Sequence, residues 1–351
     1  MARSIKSPEA PAARGRGVKS AKTMQDVARL AGVSKQTVSR ALSGSTLVTP
    51  ETKDRILAIA KEHSYIANRN AQRLRSNRSN TIAVAVDFAS LAGHRLSDPF
   101  HFELLADVTR ALGVRDQDVL LFSPHVDEER AYEQMLASKG ADGVIFIGQG
   151  GRESYLRQLA RTDAPFVVWG AVADQSPYCV VGSDNVRGGW LVGKRFCDIG
   201  RQRILFVGAA GHQEFDMRLQ GLKAAVREFG NNISIEHLAT DDLSYDNSYL
   251  RAHNYFADLD RPPDAVFAAS DIIALAVMAV VREKGLSIPA DISIIGYNDI
   301  PFATHLTPAL TTIRQNTQQA GALLVEKMMQ VLEGIKPRSV KLPTELVVRE
   351  S

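Results

Sequence analysis

Cysteine is nearly absent: Cys179 and Cys197 are the only two in 351 residues. Neither has a second Cys or a His beside it at metal-ligand spacing, so neither a zinc site nor a disulfide framework is indicated. Both read as buried or incidental thiols, and no metal is expected. No stretch approaches the roughly 18 consecutive apolar residues of a membrane span, so no membrane partner is expected. The first 22 residues are rich in Arg, Lys, Ala and Pro and contain no apolar stretch of the kind that heads a secretory signal. A cytoplasmic address is therefore expected. Catalytic motifs are missing as well: there is no nucleophile elbow, no phosphate-cradling glycine loop with its lysine, and no cluster of metal ligands. Gly148-Gln149-Gly150-Gly151 is turn-rich but lacks the following residues that a dinucleotide site needs. Neither catalysis nor a cofactor is expected.

What the chain does have is an uneven charge. Residues 1–80 carry 16 Lys and Arg against 5 Asp and Glu, while the rest carries 26 against 34. A net charge of +11 on the head thus faces −8 on the body, although the whole chain is only +3. A basic head on an acidic body points to a polyanion as the head's partner. Residues 1–22 alone would pass as a solvated, disordered basic tail, but the excess continues into a stretch with helical patterning. At 351 residues the chain also exceeds what one hydrophobic core usually spans, so two or three cores are expected.

From Thr23 apolar residues recur at helical spacing: Met24, Val27, Ala28 and Ala31, with Thr23 as N-cap. Gly32 stops that helix, and Ser34 can cap a second one from Lys35 to Leu42. In that helix Val38, Ala41 and Leu42 face inward, while Lys35, Gln36, Ser39 and Arg40 face out. Two short helices joined by a Gly-containing turn fit a helix-turn-helix, whose second helix enters the DNA major groove. Lys35 can donate to guanine edges, Gln36 can pair with adenine, and Thr37, Ser39 and Arg40 can hold phosphates or a further base. A third helix begins at Thr49-Pro50 and runs to about His63, with Ile56, Leu57 and Ala60 closing a three-helix core. The bland alternative is a small helical bundle that never meets nucleic acid.

The run of twenty residues from Thr23 to Leu42 closely resembles the N-terminal signature of the lactose repressor family. That resemblance implies that Lys35 and Gln36 read bases and that Arg40 makes a further base contact. Tyr65-Ile66-Ala67-Asn68 and Ala71-Gln72-Arg73-Leu74 look like the family's hinge, which folds into a short helix only on operator DNA. Leu74 would then wedge into the minor groove, unstacking a base step, with Arg73 beside it on the DNA. The plain alternative for Leu74 is an ordinary linker leucine.

Beyond Asn80 strand-like runs alternate with helical stretches. Thr81–Val86, Val119–Phe122, Ala141–Ile147 and Pro165–Trp169 make a first series, and Arg203–Gly208, Ala265–Ala268 and Ile292–Gly296 a second. Such alternation implies doubly wound parallel sheets, and two of them leave a cleft between halves where small ligands bind. The expected fold is thus a small all-α helix-turn-helix head plus an α/β body of two doubly wound parallel-sheet halves. This body resembles the type I periplasmic-binding-protein fold used by the same family, in which the chain crosses between halves three times. The crossings are expected near Tyr178, Gln315 and Lys341, with a helix from about Thr317 to Leu332 returning to the first half. The domains are then a tail at 1–22, the DNA-binding head at 23–63, a linker with hinge helix at 64–80 and the body at 81–351. Within the body the first half spans about 81–178 and 316–340, and the second about 179–315 and 341–351.

The resemblance also implies cleft residues. Phe100, in Asp98-Pro99-Phe100, matches the family's aromatic that packs on a ligand ring. Asp184, in an Asp-Asn run followed by Gly188-Gly189, opens the second half; Arg218 matches an arginine used on ligand hydroxyls or carboxylates, and Asp271 an aspartate that accepts hydrogen bonds. Apart from what the resemblance implies, Trp169 is expected as a stacking surface in place of the aspartate that one family member carries at position 170. Arginine and aspartates over aromatic faces suit a sugar, whose hydroxyls need donors and acceptors while its C–H faces stack. Each has a structural alternative: Asp184 and Asp271 as helix caps, Arg218 paired with a carboxylate, His101 and His212 as satisfied polar groups. Leu243 stands where some family members place an aromatic, Gly170 where one carries an aspartate, and Glu214 disfavours an anion; these departures oppose a purine-type ligand.

The implied protein is a homodimeric transcriptional regulator, in the first place a repressor, on near-palindromic double-stranded DNA. A small-molecule effector, a sugar in the first place, sets its operator affinity allosterically. A C-terminal tetramer zipper has no room between Lys341 and Ser351. The alternatives are the same fold answering a non-sugar effector or a protein partner, or a solute-binding protein. The basic head opposes the last.

Overall fold

The computed structural model describes residues 23–42, 45–65, 78–86, 98–122, 130–173, 175–257, 259 and 261–351. They fall into two compact units divided between Ser76 and Asn77.

The first unit is three helices: α1 (Met24–Ala31), α2 (Lys35–Leu42) and α3 (Pro50–Glu62). A capping box opens α1: the Thr23 hydroxyl accepts from Asp26 N at 3.2 Å, and the Asp26 carboxylate accepts from Thr23 N at 3.2 Å. Gly32 closes it in the left-handed region at φ 65°. Val27, Ala28, Ala31, Val38, Ala41 and Ile56 form the core, with Met24, Leu42 and Ile59 packed at its edge. Leu57, expected in that core, is instead 41% exposed, because Ile56, Ile59 and Ala60 already fill the inward stripe of α3.

In the second unit the chain builds two six-stranded sheets among the described residues. The first half begins with β1 (Thr81–Val86), α4 (Pro99–Gly113), β2 (Asp118–Leu121), α5 (Ala131–Ala137), β3 (Gly143–Ile147), α6 (Glu153–Leu159), β4 (Phe166–Trp169) and β5 (Val180–Ser183). The second follows with α7 (Asn185–Asp198), β6 (Arg203–Ala209), α8 (Gln213–Phe229), β7 (Ser234–Thr240), α9 (Tyr245–Ala257), β8 (Ala265–Ala268), α10 (Asp271–Glu283), β9 (Ser293–Asn298) and β10 (Thr311–Arg314). Then come α11 (Thr317–Leu332), β11 (Val340–Leu342) and β12 (Glu345–Val347).

One sheet runs β11-β5-β4-β3-β1-β2 and the other β12-β10-β9-β8-β6-β7, parallel throughout except that β12 pairs antiparallel with β10. The central strands are buried on both faces and so read as near-continuous apolar runs. The first crossing falls at Asp184, not near Tyr178. Val180–Ser183, assigned to the second half from sequence, pairs with β4 and β11 and completes the first sheet. A short strand ending in Gly182-Ser183 carries too little apolar pattern to be seen alone. The chain returns after β10, where α11 packs on α4, and crosses last between β11 and β12.

Candidate functional site

On the first unit, α2 turns Lys35, Gln36 and Arg40 outward, all exposed, while Thr37 and Ser39 are half-buried. Ser34 caps the helix: its hydroxyl accepts from Thr37 N at 3.0 Å and lies 2.8 Å from the Thr37 hydroxyl. Thr37 is thereby fixed at the helix N-terminus, where backbone N–H groups and the helix dipole favour a phosphate. Leu74 and Arg73 lie outside the described residues.

On the second unit a cavity opens where the C-terminal ends of the two sheets meet, the crevice in which open α/β sheets place ligands. The first half lines it with Asp98, Phe100 and His101 at the start of α4, Gly148 and Gly150 after β3, and Trp169 at the end of β4. The second half contributes His212, Glu214, Phe215 and Arg218 around the start of α8, and Leu243 ahead of α9. Ser270, Asn298 and Gln315, each just past or at the end of a strand, complete it.

Phe100 and Trp169 stand 5.8 Å apart, tilted by 44°, as a paired aromatic surface. Arg218 faces them, buried to 5% exposure. Asn185 Oδ1 accepts from its Nε at 2.9 Å, the Ala269 carbonyl accepts from its Nη1, and the Tyr297 ring lies 3.6 Å below its guanidinium carbon. Burial lowers the arginine's pKa, while Glu214 and Asp98 nearby favour the charged form. The guanidinium is thus preorganised by three protein groups at the cavity wall. Burial pushes the Asp98 carboxyl above the usual carboxylate range. His212 Nδ1 stands 3.3 Å from Glu214 Oε2, and His101 Nδ1 is buried with no hydrogen-bond partner among the described residues.

Phe100, Trp169 and Arg218, expected in the cleft, are brought together there. Asp184 and Asp271 are not. Asp184 caps α7, accepting from Arg187 N at 3.0 Å, because it sits at the crossing where that helix must begin. The Gly188-Gly189 pair after it serves packing: a Cβ at Gly189 would strike the Arg218 backbone, and one at Gly188 the Tyr297 hydroxyl. The run therefore seats Arg218 without touching the cavity. Asp271 lies fully buried beneath the wall, accepting from Ile300 N at 2.9 Å and Thr312 Oγ1 at 2.5 Å; Ser270 caps α10 in its place. Burial pushes its carboxyl up to about 7. His101 and His212, set aside as satisfied polar groups, both line the cavity. Asn298 and Gln315 were missed, although a polar residue directly after a strand run is the available signal. Gly170 is explained by Gln149, whose side chain occupies the space a substituent there would need.

Residues 23–68 match the model of the bacterial regulatory proteins, lacI family, and residues 194–351 that of the periplasmic binding protein-like domain. The HTH-type transcriptional regulator CelR of Thermobifida fusca is 32% identical over 340 residues, covering 94% of this chain and 98% of its own. The HTH-type transcriptional repressor PurR of Photobacterium profundum is 30% identical with the same coverage. Among solved structures, the lac repressor dimer bound to operator and the anti-inducer ONPF aligns with a TM-score of 0.77 at 26% identity. It covers 93% of this chain and 98% of that one. The CelR–cellobiose complex aligns at 0.68 and 28% identity, covering 94% and 99%. These relatives are named as transcription regulators and repressors. No helix among the described residues is long and apolar enough to cross a membrane. The chain belongs to the lacI family of bacterial regulatory proteins.

Proposed function

We propose that this protein is a cytoplasmic transcriptional repressor that binds a near-palindromic operator as a homodimer and answers to a sugar held in the cavity. The observation that carries the sugar is the make-up of the walls: an aromatic pair, Phe100 and Trp169, opposite a buried arginine flanked by carboxylate and amide groups. Such a set gives a polyol donors, acceptors and a stacking face together. Solved relatives in complex with cellobiose and with ribose support it. Phe100, Trp169 and Arg218 bind the effector; Asp184 and Asp271 act behind the wall.

On DNA, Lys35 and Gln36 read base edges, Arg40 adds a further contact, and Thr37 and Ser39 hold phosphates. Arg73 and Leu74 act in the minor groove from the linker at 64–80, between a head at 23–63 and a body at 81–351. Ligand in the cavity shifts the two halves of the body and thereby operator affinity.

The test is operator binding to genomic fragments from beside the protein's own gene, at two salt concentrations, titrated with mono- and disaccharides including cellobiose and ribose. Selective binding that one sugar abolishes is the expected result. Random duplex competing as well as the genomic fragments, with and without sugars, overturns the repressor. Selective binding unmoved by every sugar overturns the effector class alone.

A further inference from the structure

One chain of hydrogen bonds passes from one half of the body to the other along the cavity wall. Gln315 Nε2 donates to Asn298 Oδ1 at 2.7 Å, and Asn298 Nδ2 donates to Asp98 Oδ2 at 2.7 Å. The other Asp98 oxygen accepts from Phe100 N at 3.0 Å and caps α4. Asp98 belongs to the first half; Asn298 and Gln315 belong to the second, and all three are buried. The two halves are thereby joined at the cavity through a carboxyl group.

The polarity of this chain is set at Asp98, whose two oxygens both accept. With Asp98 ionised, as the bond from Asn298 and the cap from Phe100 N both favour, its carboxylate only accepts, so it dictates which way the Asn298 amide points, and that in turn dictates the Gln315 amide. The backbone is arranged to deliver it. Asn298 and Asp299 both hold left-handed φ values, 125° and 58°, which side chains other than glycine seldom adopt. Asp299 is held by Arg314 at 2.7 Å and Arg349 at 2.6 Å, and Ile300 N by Asp271 at 2.9 Å. A conformation of this kind persists only where its surroundings over-determine it, and such places cluster at ligand clamps and switch regions.

We propose that Asp98 and Asn298 form a latch that holds the two halves closed along the cavity, with Asp98 as the positioning residue. The latch is a matter of hydrogen-bond polarity, so exchanging the two side chains preserves it. In D98N/N298D the new amide still caps Phe100 N, its N–H₂ donates to the new carboxylate, and that carboxylate accepts from Gln315. In N298D two carboxyls confront each other in a buried place and must either repel or take up a proton from solvent, and in D98N two amides meet with one donor facing another.

Hydrogen–deuterium exchange on the full-length chain tests this, reading the peptides over 98–104 and 293–305 against control peptides over β7 and α9. N298D is expected to raise exchange in both test peptides by about tenfold or more, the worth of a buried bond to a charged group, with the controls unmoved. D98N is expected to raise it about threefold, and D98N/N298D to bring it back to within about twofold of the parent. If N298D does not fold, as judged by circular dichroism, D98N against the exchanged pair makes the same comparison. Single variants that exchange like the parent overturn the latch. So does an exchanged pair that stays as open as the worse single variant, because shape and not polarity would then be what the site requires.

Discussion

The two walls of the cavity are built on different principles. The first half presents flat apolar faces, Phe100 and Trp169, and a glycine turn, Gly148 to Gly150, held from behind. Gln149 does the holding: its carbonyl oxygen accepts from Ala171 N at 2.8 Å and its amide donates to the Tyr178 hydroxyl at 3.1 Å. The carboxylate of this wall, Asp98, is occupied by the α4 cap and Asn298, which leaves His101 as the remaining polar side chain among the described residues that line it. The second half adds Phe215 and Leu243 but presents mainly Arg218, Glu214, His212, Ser270 and Gln315, a set that hydrogen-bonds. Stacking is tolerant of which ring is bound, whereas a site built around buried polar partners rejects ligands that leave them unpaired. The first wall should therefore supply affinity common to many sugars, and the second should choose among them.

Removing the centre of the second wall gives the largest effect. Arg218→Ala deletes the charged donor and also leaves Asn185 Oδ1 and the Ala269 carbonyl without their partner. Binding of the sugar selected by the operator titration should weaken by about 100-fold or more, at roughly 1.5–3 kcal/mol for each charge-assisted bond lost. Isothermal titration calorimetry measures it. A loss no greater than threefold would erase the difference between the walls.

Gly189→Ala attacks the same wall from behind. The added methyl meets the Arg218 backbone where α7 and α8 touch, and overpacking of this kind costs about 1–3 kcal/mol. A lowered thermal midpoint and weakened sugar binding should appear together, since the displaced element carries the arginine. Stability lost with sugar affinity unchanged would show that Arg218 does not depend on its seat.

How far this arrangement was legible in the sequence differs between the walls. Phe100 and Trp169 end or follow strand runs whose pattern is plain, and Arg218 follows Glu214 on a clear helix, so motif and period agree. Asp271 was misassigned because a strand-end aspartate before a helix looks the same whether it faces the cleft or the interior. What decides is a tertiary fact, the Thr312 hydroxyl arriving from β10 and Ile300 N from beyond β9. Asp184 failed for a related reason. The crossing it marks depends on which sheet claims Val180–Ser183, and a pairing partner as distant in the chain as Val340–Leu342 does not show in local pattern. The head was the most legible part, because its caps and its core residues lie close together in the chain.

Trp169→Leu sharpens the comparison from the first wall. Losing one of two stacking faces should weaken every accepted sugar by about three- to tenfold, with little change in their rank order. Competition titrations with the sugar panel check this. A changed rank order would mean that the first wall also selects.

The effect furthest removed from the ligand concerns the ground beneath the second wall. Asp271 is held up to about 7 by burial, above the 3.8 of the unfolded chain. Between those values the folded protein binds a proton that the unfolded chain has released, and stability attached to that proton is lost as pH rises through 7. Asp271→Asn keeps the geometry: its carbonyl can accept from Ile300 N and its amide can donate to the Thr312 hydroxyl, which reverses its role. Comparing the two proteins cancels the titration of groups other than Asp98 and Asp299, whose charges act on Asp271. Between pH 6 and pH 8 the parent should lose about 1.4 kcal/mol relative to the variant in urea unfolding. Below pH 6 the difference should keep moving in the parent's favour, levelling off only as pH reaches the unfolded value. A gap that does not move with pH would show that Asp271 stays ionised, sustained by its two donors alone. The second wall would then rest on a buried charge, and its selectivity would hold unchanged across the same pH range.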